Sequence, residues 1–409
     1  MSSAIFYFVD EIESTFVLSD LIIVAEKYER VYLFSIEKLS GKEFLPSNVH
    51  VFEEFMEWES FRPMNILLKN FFSIFEIYIS ECIKVKNIIP LKSSIALLVS
   101  NIFKASEISR NLDEKSITYL MKTSAFYSFW FYDCNYLAWL RKKGVIGFAI
   151  TRTHSGDLYE DHISIRNKPL FRNFQMKYLD AVLPVSKMGT QYLQNRYNSV
   201  KCKIKTIFLG SRDPNVLNPF VDKKLVIVSC ASLRHHKRIH KVAESLLHVD
   251  IPVTWHHFGS ENLDTNDPMI PEYLKRKEQL KTKLNIEFIP HGFTSNEKLF
   301  EFYKGTPVNL FISLSEAEGI PVSIMEAISF GIPVLSTDVG GCSEIVTEQT
   351  GILIPLNTEV SDVASRISDF KHSTMNTIEF RKQVRKFWES NFDERVNYHD
   401  FFEVLLMDN

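Results

Sequence analysis

No apolar run in this 409-residue chain is long enough to cross a bilayer. Charge-free stretches reach about 11 residues, as at 93–103, where a spanning helix needs about 20. There is no excess of basic charge either. Lys plus Arg number 47 and Asp plus Glu 50, a formal net charge of -3, which counts against nucleic acid as the main partner. The five cysteines are scattered and form no C-x-x-C pair. That excludes a zinc ribbon or a disulfide scaffold and fits reduced thiols in a cytosol. The first residues, MSSAIFYFVDEIES, carry acids at once and no basic stretch, so they do not read as a signal peptide. Repeats of fixed period, low-complexity tracts and coiled-coil heptads are all missing. So are G-x-G-x-x-G, G-x-x-x-x-G-K-[ST], H-E-x-x-H and G-x-S-x-G. No two aspartates stand two apart, so the D-x-D pair of many metal-dependent sugar transferases is absent.

What is present is soluble and globular in composition: 45% hydrophobic, 24% charged, with 33 Phe for large cores. The length suits two to three domains, at roughly 150 residues each. Short apolar runs alternate with helical patterns, which predicts an α/β chain with parallel sheets. Strands are expected at 4–9, 31–35, 145–151, 181–185, 225–231, 254–258, 286–289, 308–313 and 334–337. A helix is expected at 16–28. The run GSRDPNVLNP at 210–219 is rich in turn formers and is the best internal boundary. A cleft between two such domains is a natural ligand site.

Residues 60–110 differ, with dense apolar stretches such as MNILLKNFFSIF at 64–75. They read either as a buried helix pair or as a surface that touches a membrane or lipid acceptor, with Lys84, Lys86 and Lys92 nearby.

The most informative segment is SEAEGIPVSIMEA at 315–327. The strand at 308–313 should end in a short loop, and a helix should start around Pro321 and stop at Gly331-Ile-Pro333. Glu318 then lies in the loop at the carboxyl end of a strand, and Glu326 about one turn into the helix. Ligands bind α/β sheets at that edge, and the helix N-terminus suits a phosphate. Carboxylates there accept hydrogen bonds from sugar hydroxyls, so the spacing reads as a nucleotide-sugar cradle. Taken alone, the same pair is better described as a surface loop and a solvated helix glutamate.

Glu318-x7-Glu326, set in EGIPVSIMEAISFGIPVLSTDVGGCSEIV, resembles the E-x7-E region of the retaining glycosyltransferases of family 4. Five further stretches resemble that family in the right order. They are ESTFV at 13–17, TRTHSGD at 151–157, and DAVLPVS at 180–186 with FLG at 208–210. SLRHHK at 232–237 resembles the phosphate-binding turn, and Phe387-Trp388 to Asn397-Tyr398 the C-terminal helices. The likeness covers nearly the whole chain and is thinnest at 40–120.

The resemblance implies a GT-B fold, two Rossmann-like domains with parallel sheets facing an interdomain cleft. Residues 1–209 would bind the acceptor, 210–386 the nucleotide sugar, and 387–409 would cross back to the first domain. Glu318 would contact donor-sugar hydroxyls, Glu326 the ribose and Lys237 the diphosphate. Backbone N–H groups of Gly319, Ile320, Val322 and Ser323 would line the donor, and Pro321 has none to give. His154 would face the sugar near the scissile bond, with Asp157 beside it on the acceptor side. Without the resemblance, His154 is equally a hydrogen-bonded structural residue. No metal and no cofactor is implied. The partners are a nucleoside-diphosphate sugar and a glycan or lipid-linked glycan, without nucleic acid. The place of action is cytoplasmic, with peripheral contact at the inner membrane face. Two departures stand out. Ser232 occupies the place of a phosphate-binding arginine, which leaves Arg234 or Arg238 as substitutes, and no glycine-rich loop is obvious at 8–13. Two other readings stay open: a non-catalytic sugar-nucleotide or glycan binder, and an epimerase on the same scaffold.

Overall fold

Strands that are apolar on both faces are buried on both faces, and that sets the frame of this chain. The structure is a computed structural model describing residues 4–9, 15–39, 42, 45–85, 89–132, 134–160, 171–198, 200–221, 223–260, 267 and 269–406. All six residues of β1 (Ala4–Val9) are buried. It pairs in parallel with β2 (Arg30–Ser35) on one side and β4 (Ala125–Ser128) on the other. With β3 (Val49–Glu53), β5 (Phe148–Thr153), β6 (Ala181–Pro184) and β7 (Lys203–Ile204), they form a seven-stranded sheet in the order β3-β2-β1-β4-β5-β6-β7. A second sheet holds β8 (Leu225–Cys230), β9 (Val253–Phe258), β10 (Ile286–Gly292), β11 (Leu310–Ser313), β12 (Val334–Thr337) and β13 (Gly351–Ile354). Its order is β10-β9-β8-β11-β12-β13, again parallel throughout. Each sheet has a topological switch point: between β1 and β4 in the first, and between β8 and β11 in the second. Loops at the carboxyl ends of those strands are where such sheets bind ligands.

The chain divides into two compact units, 1–207 with 400–409, and 208–399. The helix Ile378–Asn391, taken from sequence as crossing back from 387 onward, lies wholly in the second unit. The reason is a set of ties to that unit. Trp388 is buried and its Nε1 donates to Ser211 Oγ at 2.8 Å, while Arg385 pairs with Asp213. Only the end of the last helix, Glu394–Leu406, groups with the first unit. There the Phe401 ring packs 5.1 Å from Tyr127 and 4.9 Å from the guanidinium of Arg152, itself fully buried and 3.4 Å from Asp20.

The segment 60–110 is a helix pair, but not a fully buried one. Leu91–Glu114 is buried along much of its length, whereas Pro63–Val85 buries Ile74 and Ile77 on one side and exposes large apolar residues on the other. Lys86 lies outside the described residues. Among the described residues no helix is long and apolar enough to cross a membrane.

Candidate functional site

In the second unit the two strands flanking the switch point each end in a loop. After β8 the chain makes a single turn of 3-10 helix, His235–Lys237, and leaves it through Arg238 in the left-handed region at φ 51°. After β11 it runs through 314–321 into the helix Val322–Ser329. Backbone and side-chain interactions join these loops. The backbone N–H of Glu316 donates to the carbonyl of His236 at 2.8 Å. The Lys237 ammonium sits 2.7 and 2.8 Å from the two carboxylate oxygens of Glu318. Both side chains are largely sheltered, at 23% and 9% exposure, so the pair is far less screened than a surface ion pair.

Two glycines fix the Glu318 loop. Gly340 has φ +52°, and a Cβ on it would lie 1.8 Å from the carbonyl oxygen of Glu318. Gly341 donates its N–H to the Gly319 carbonyl at 2.7 Å and has no room for a side chain. Backbone must pass this close to hold the loop, and only glycine allows it. The pair stands within the stretch quoted for the resemblance, yet its role was not legible there.

The helix begins one residue later than the sequence suggested. Pro321 is the cap and Val322 the first helical residue, and Gly331, at φ +74°, ends it. Among the described residues, the backbone N–H groups of Gly319, Ile320, Val322 and Ser323 have no hydrogen-bond acceptor. The end of a helix with such open donors attracts anions.

Glu326, one turn into the helix, is held by the side-chain amide of Asn296, which donates to its Oε1. Burial pushes its carboxyl up to about 7, against the hydrogen bond from Asn296 and the charge of Arg212. The half-buried Cys230 thiol is pushed up to about 12, by burial first and then by the Glu326 charge. Asn296 and Arg212 were not singled out in the sequence. They lie 30 and 114 residues from Glu326, and no spacing rule joins them.

Ser232 is exposed and carries no charge. Arg238 is already engaged: its Nη1 donates to the Leu356 carbonyl at 3.1 Å. Arg234 is exposed.

In the first unit His154 follows β5 at its carboxyl end, as expected. The strand itself starts at Phe148 and not at Val145, because the backbone of 145–147 bonds outside the sheet: the Val145 N–H to the Leu140 carbonyl and the Gly147 N–H to that of Met121. The imidazole stacks on Phe129 at 4.6 Å and leans on Trp130 at 4.8 Å. Burial, and then the Arg152 charge, lower its pKa to about 3, against a hydrogen bond to the Phe129 backbone. The ring is therefore neutral. Its Nε2 is buried with no hydrogen-bond partner among the described residues. The stretch 10–14, which includes much of the region without a glycine-rich loop and the first residues of ESTFV, lies outside the described residues.

Asp157 faces inward. It accepts from the backbone N–H of Phe131 and of His154, both at 2.6 Å, and from Thr153 Oγ1 at 2.8 Å. Burial pushes its carboxyl above the usual range, with the Arg172 charge opposing. It braces the loop that presents His154.

Known proteins resemble this chain in sequence and in fold. Residues 215–387 match the family described as glycosyl transferases group 1. The chain is 28% identical over 288 residues to the putative colanic acid biosynthesis glycosyltransferase WcaL of Escherichia coli, covering 65% of this chain and 66% of that one. It is 40% identical over 83 residues to the O-antigen biosynthesis glycosyltransferase WbnH of Escherichia coli, covering 20% and 22%. These matches thus span less than two thirds of either relative. Among solved structures, Anabaena HepE in complex with UDP superimposes with a TM-score of 0.70 at 14% identity, covering 98% of this chain and 99% of that one. The same protein with UDP-glucose gives 0.69 at 15%, over 98% and 99%. The chain thus has the two parallel-sheet, Rossmann-like domains of the GT-B fold, its residues 215–387 match the glycosyl transferases group 1 family, and it is similar to glycosyltransferases named for colanic acid and O-antigen biosynthesis.

Proposed function

We propose that the chain is a retaining, metal-independent hexosyltransferase that moves a sugar from a nucleoside-diphosphate sugar of UDP or GDP type to a hydroxyl of a glycan or lipid-linked glycan in polysaccharide biosynthesis. It would act on the cytoplasmic side of the inner membrane. The observation that carries this reading is the Lys237–Glu318 pair at the mouth of the helix Val322–Ser329. A cation and a row of open N–H groups stand where a diphosphate would sit, and a carboxylate beside them can take sugar hydroxyls. Glu326, braced by Asn296, takes the ribose.

In this reading residues 1–209 bind the acceptor and 210–386 the donor, and the end of the helix Glu394–Leu406 links back to the first domain. As the glycosidic bond breaks, negative charge grows on the diphosphate. Lys237 and the N–H groups of Gly319, Ile320, Val322 and Ser323 stabilise that charge, the electrostatic part a metal plays elsewhere. The leaving phosphate oxygen takes the acceptor proton, so no side chain is needed as general base. His154, neutral, offers a hydrogen bond to the sugar at the reacting centre. Asp157 contributes on the acceptor side by holding the His154 loop.

The exposed, uncharged Ser232 favours a second reading, a non-catalytic sugar-nucleotide binder on the same scaffold. Donor hydrolysis separates the two. Slow release of nucleoside diphosphate from a UDP- or GDP-sugar, lost in Lys237→Ala, supports the transferase. Tight donor binding without any release supports the binder.

A further inference from the structure

The helix Pro63–Val85 is apolar on two opposite sides. One side, with Ile66, Leu67, Ile74 and Ile77, packs into the core of the first unit. The other shows Met64, Leu68, Phe71, Phe72, Ile79 and Ile83 to solvent, with Phe72 87% and Ile83 69% exposed. Steps of three and four residues place these on one helix face. Half-buried Phe75 continues the stripe, its ring 4.5 Å from that of Phe71. The helix kinks at Asn70, whose side chain donates to the Ile66 carbonyl, and the exposed residues continue on both sides of the kink. At 1.5 Å per residue the stripe is about 28 Å long. A helix face of this size left in water marks an interaction surface.

We infer that this face lies on an anionic lipid bilayer. Three features favour a bilayer over a protein partner. The stripe is long and convex, being one side of a single helix, and so suits a planar apolar medium. The helix is basic where it is exposed: Lys69 lies beside the stripe and Lys84 near its end. The helix's one exposed acid, Glu76, is neutralised by Lys142 at 2.9 Å, which together with Lys177 and Lys143 holds its carboxyl below the usual range. Glu81, the other acid, is buried and accepts from Asn173. Finally, Trp58 stands exposed five residues before the helix, and indoles favour the headgroup layer. A helix with an apolar face and a lysine flank lies in the plane of a bilayer and is attracted by anionic headgroups. This inference does not depend on the donor chemistry.

The test is flotation of the full chain with vesicles of phosphatidylcholine alone or mixed with phosphatidylglycerol. The wild type should float with the phosphatidylglycerol vesicles. Leu68→Ser with Phe72→Ser should lower the partition constant at least about 100-fold, on the scale of withholding two large side chains from an apolar medium. Lys69→Glu with Lys84→Glu should lower it at least about tenfold on anionic vesicles only. Both altered apolar residues are exposed, so the urea midpoint should hold. Should that pair unfold the chain, Ile79→Ser with Ile83→Ser reads the same face. UDP and GDP binding, measured on the same samples, should be unchanged in every variant, and absence of both in the wild type would count against the donor reading without touching this one. Failure of the wild type to float, or flotation indifferent to both apolar pairs, overturns the inference. So does a dimer in vesicle-free buffer that Leu68→Ser with Phe72→Ser dissolves, because the stripe then belongs to a second copy.

Discussion

Lys237 holds both carboxylate oxygens of Glu318, at 2.7 and 2.8 Å, across the switch point of the second sheet. Each side chain comes from the loop after a different central strand, so the pair is a property of the fold and not of local sequence. In the proposed donor complex the ammonium turns to the diphosphate and the carboxylate to the sugar. One ion pair is exchanged for two sets of contacts.

Because Ser232 carries no charge, Lys237 should, on the proposed reading, bear more of the side-chain work on the leaving group. Charge-assisted contacts contribute roughly 1.5–3 kcal/mol, or about 10- to 150-fold. Lys237→Ala should lower kcat/KM by at least about 100-fold, and Ser232→Arg should restore part of it. The double-mutant cycle across these two positions measures the coupling. A nearly silent Lys237→Ala beside a crippling Arg234→Ala would move the phosphate site to the arginine.

The two glutamates should separate by ligand. Glu318→Gln should cut turnover with little loss of affinity for bare nucleoside diphosphate, since its proposed partner is the sugar. Glu326→Ala should weaken that affinity, since its proposed partner is the ribose. Calorimetric titration of UDP and GDP into both variants decides the matter, and the reverse pattern would exchange the roles.

Glu326 also makes a stability prediction. Its folded pKa, about 7, lies above the ordinary carboxylate value. Between pH 4.5 and 7 the folded state therefore binds a proton that the unfolded state does not, and stability falls as pH rises through that window. Glu326→Gln, which cannot ionise, should gain on the wild type as pH rises and reach a plateau above about pH 7. Melting temperatures of both proteins from pH 4.5 to 8 check this. A gain that shrank with rising pH would mean the carboxyl is not held in its protonated form.

His154 should act as a neutral ring. With its pKa lowered to about 3, it does not titrate between pH 5 and 8, so the pH profile of kcat/KM should show no break from it. His154→Ala should lower turnover about 100-fold or more, the scale of losing one aligned transition-state contact. A basic limb near pH 6.5 that vanished in the variant would show a titrating histidine instead.

The legible parts of the chain were those where one physical rule acted alone. Ala4–Val9 and Val334–Thr337 are buried on both faces and read directly as strands. Ala125–Ser128 was hidden, because the aromatic run continues past it through Phe129 and Trp130, which leave the sheet to pack against His154. Glu318 and Glu326 could be placed because strand, loop and helix follow one another in sequence. Their partners could not: Asn296 and Arg212 reach Glu326 through the fold, and Gly340 and Gly341 support the Glu318 loop from another strand's end. Asp157 read as an acceptor-side group because sequence does not say which way a carboxylate points. Three inward hydrogen bonds turn it into a brace.

The most direct test is to follow each of a panel of UDP- and GDP-sugars by proton NMR with the protein in EDTA, watching the anomeric signal of the sugar as it is first released or transferred. The account predicts that one donor is cleaved without added metal, that the new anomeric centre keeps the donor's configuration, and that Lys237→Ala abolishes the signal. Inversion at that centre, dependence on Mg2+ or Mn2+, or cleavage that survives in Lys237→Ala would contradict it.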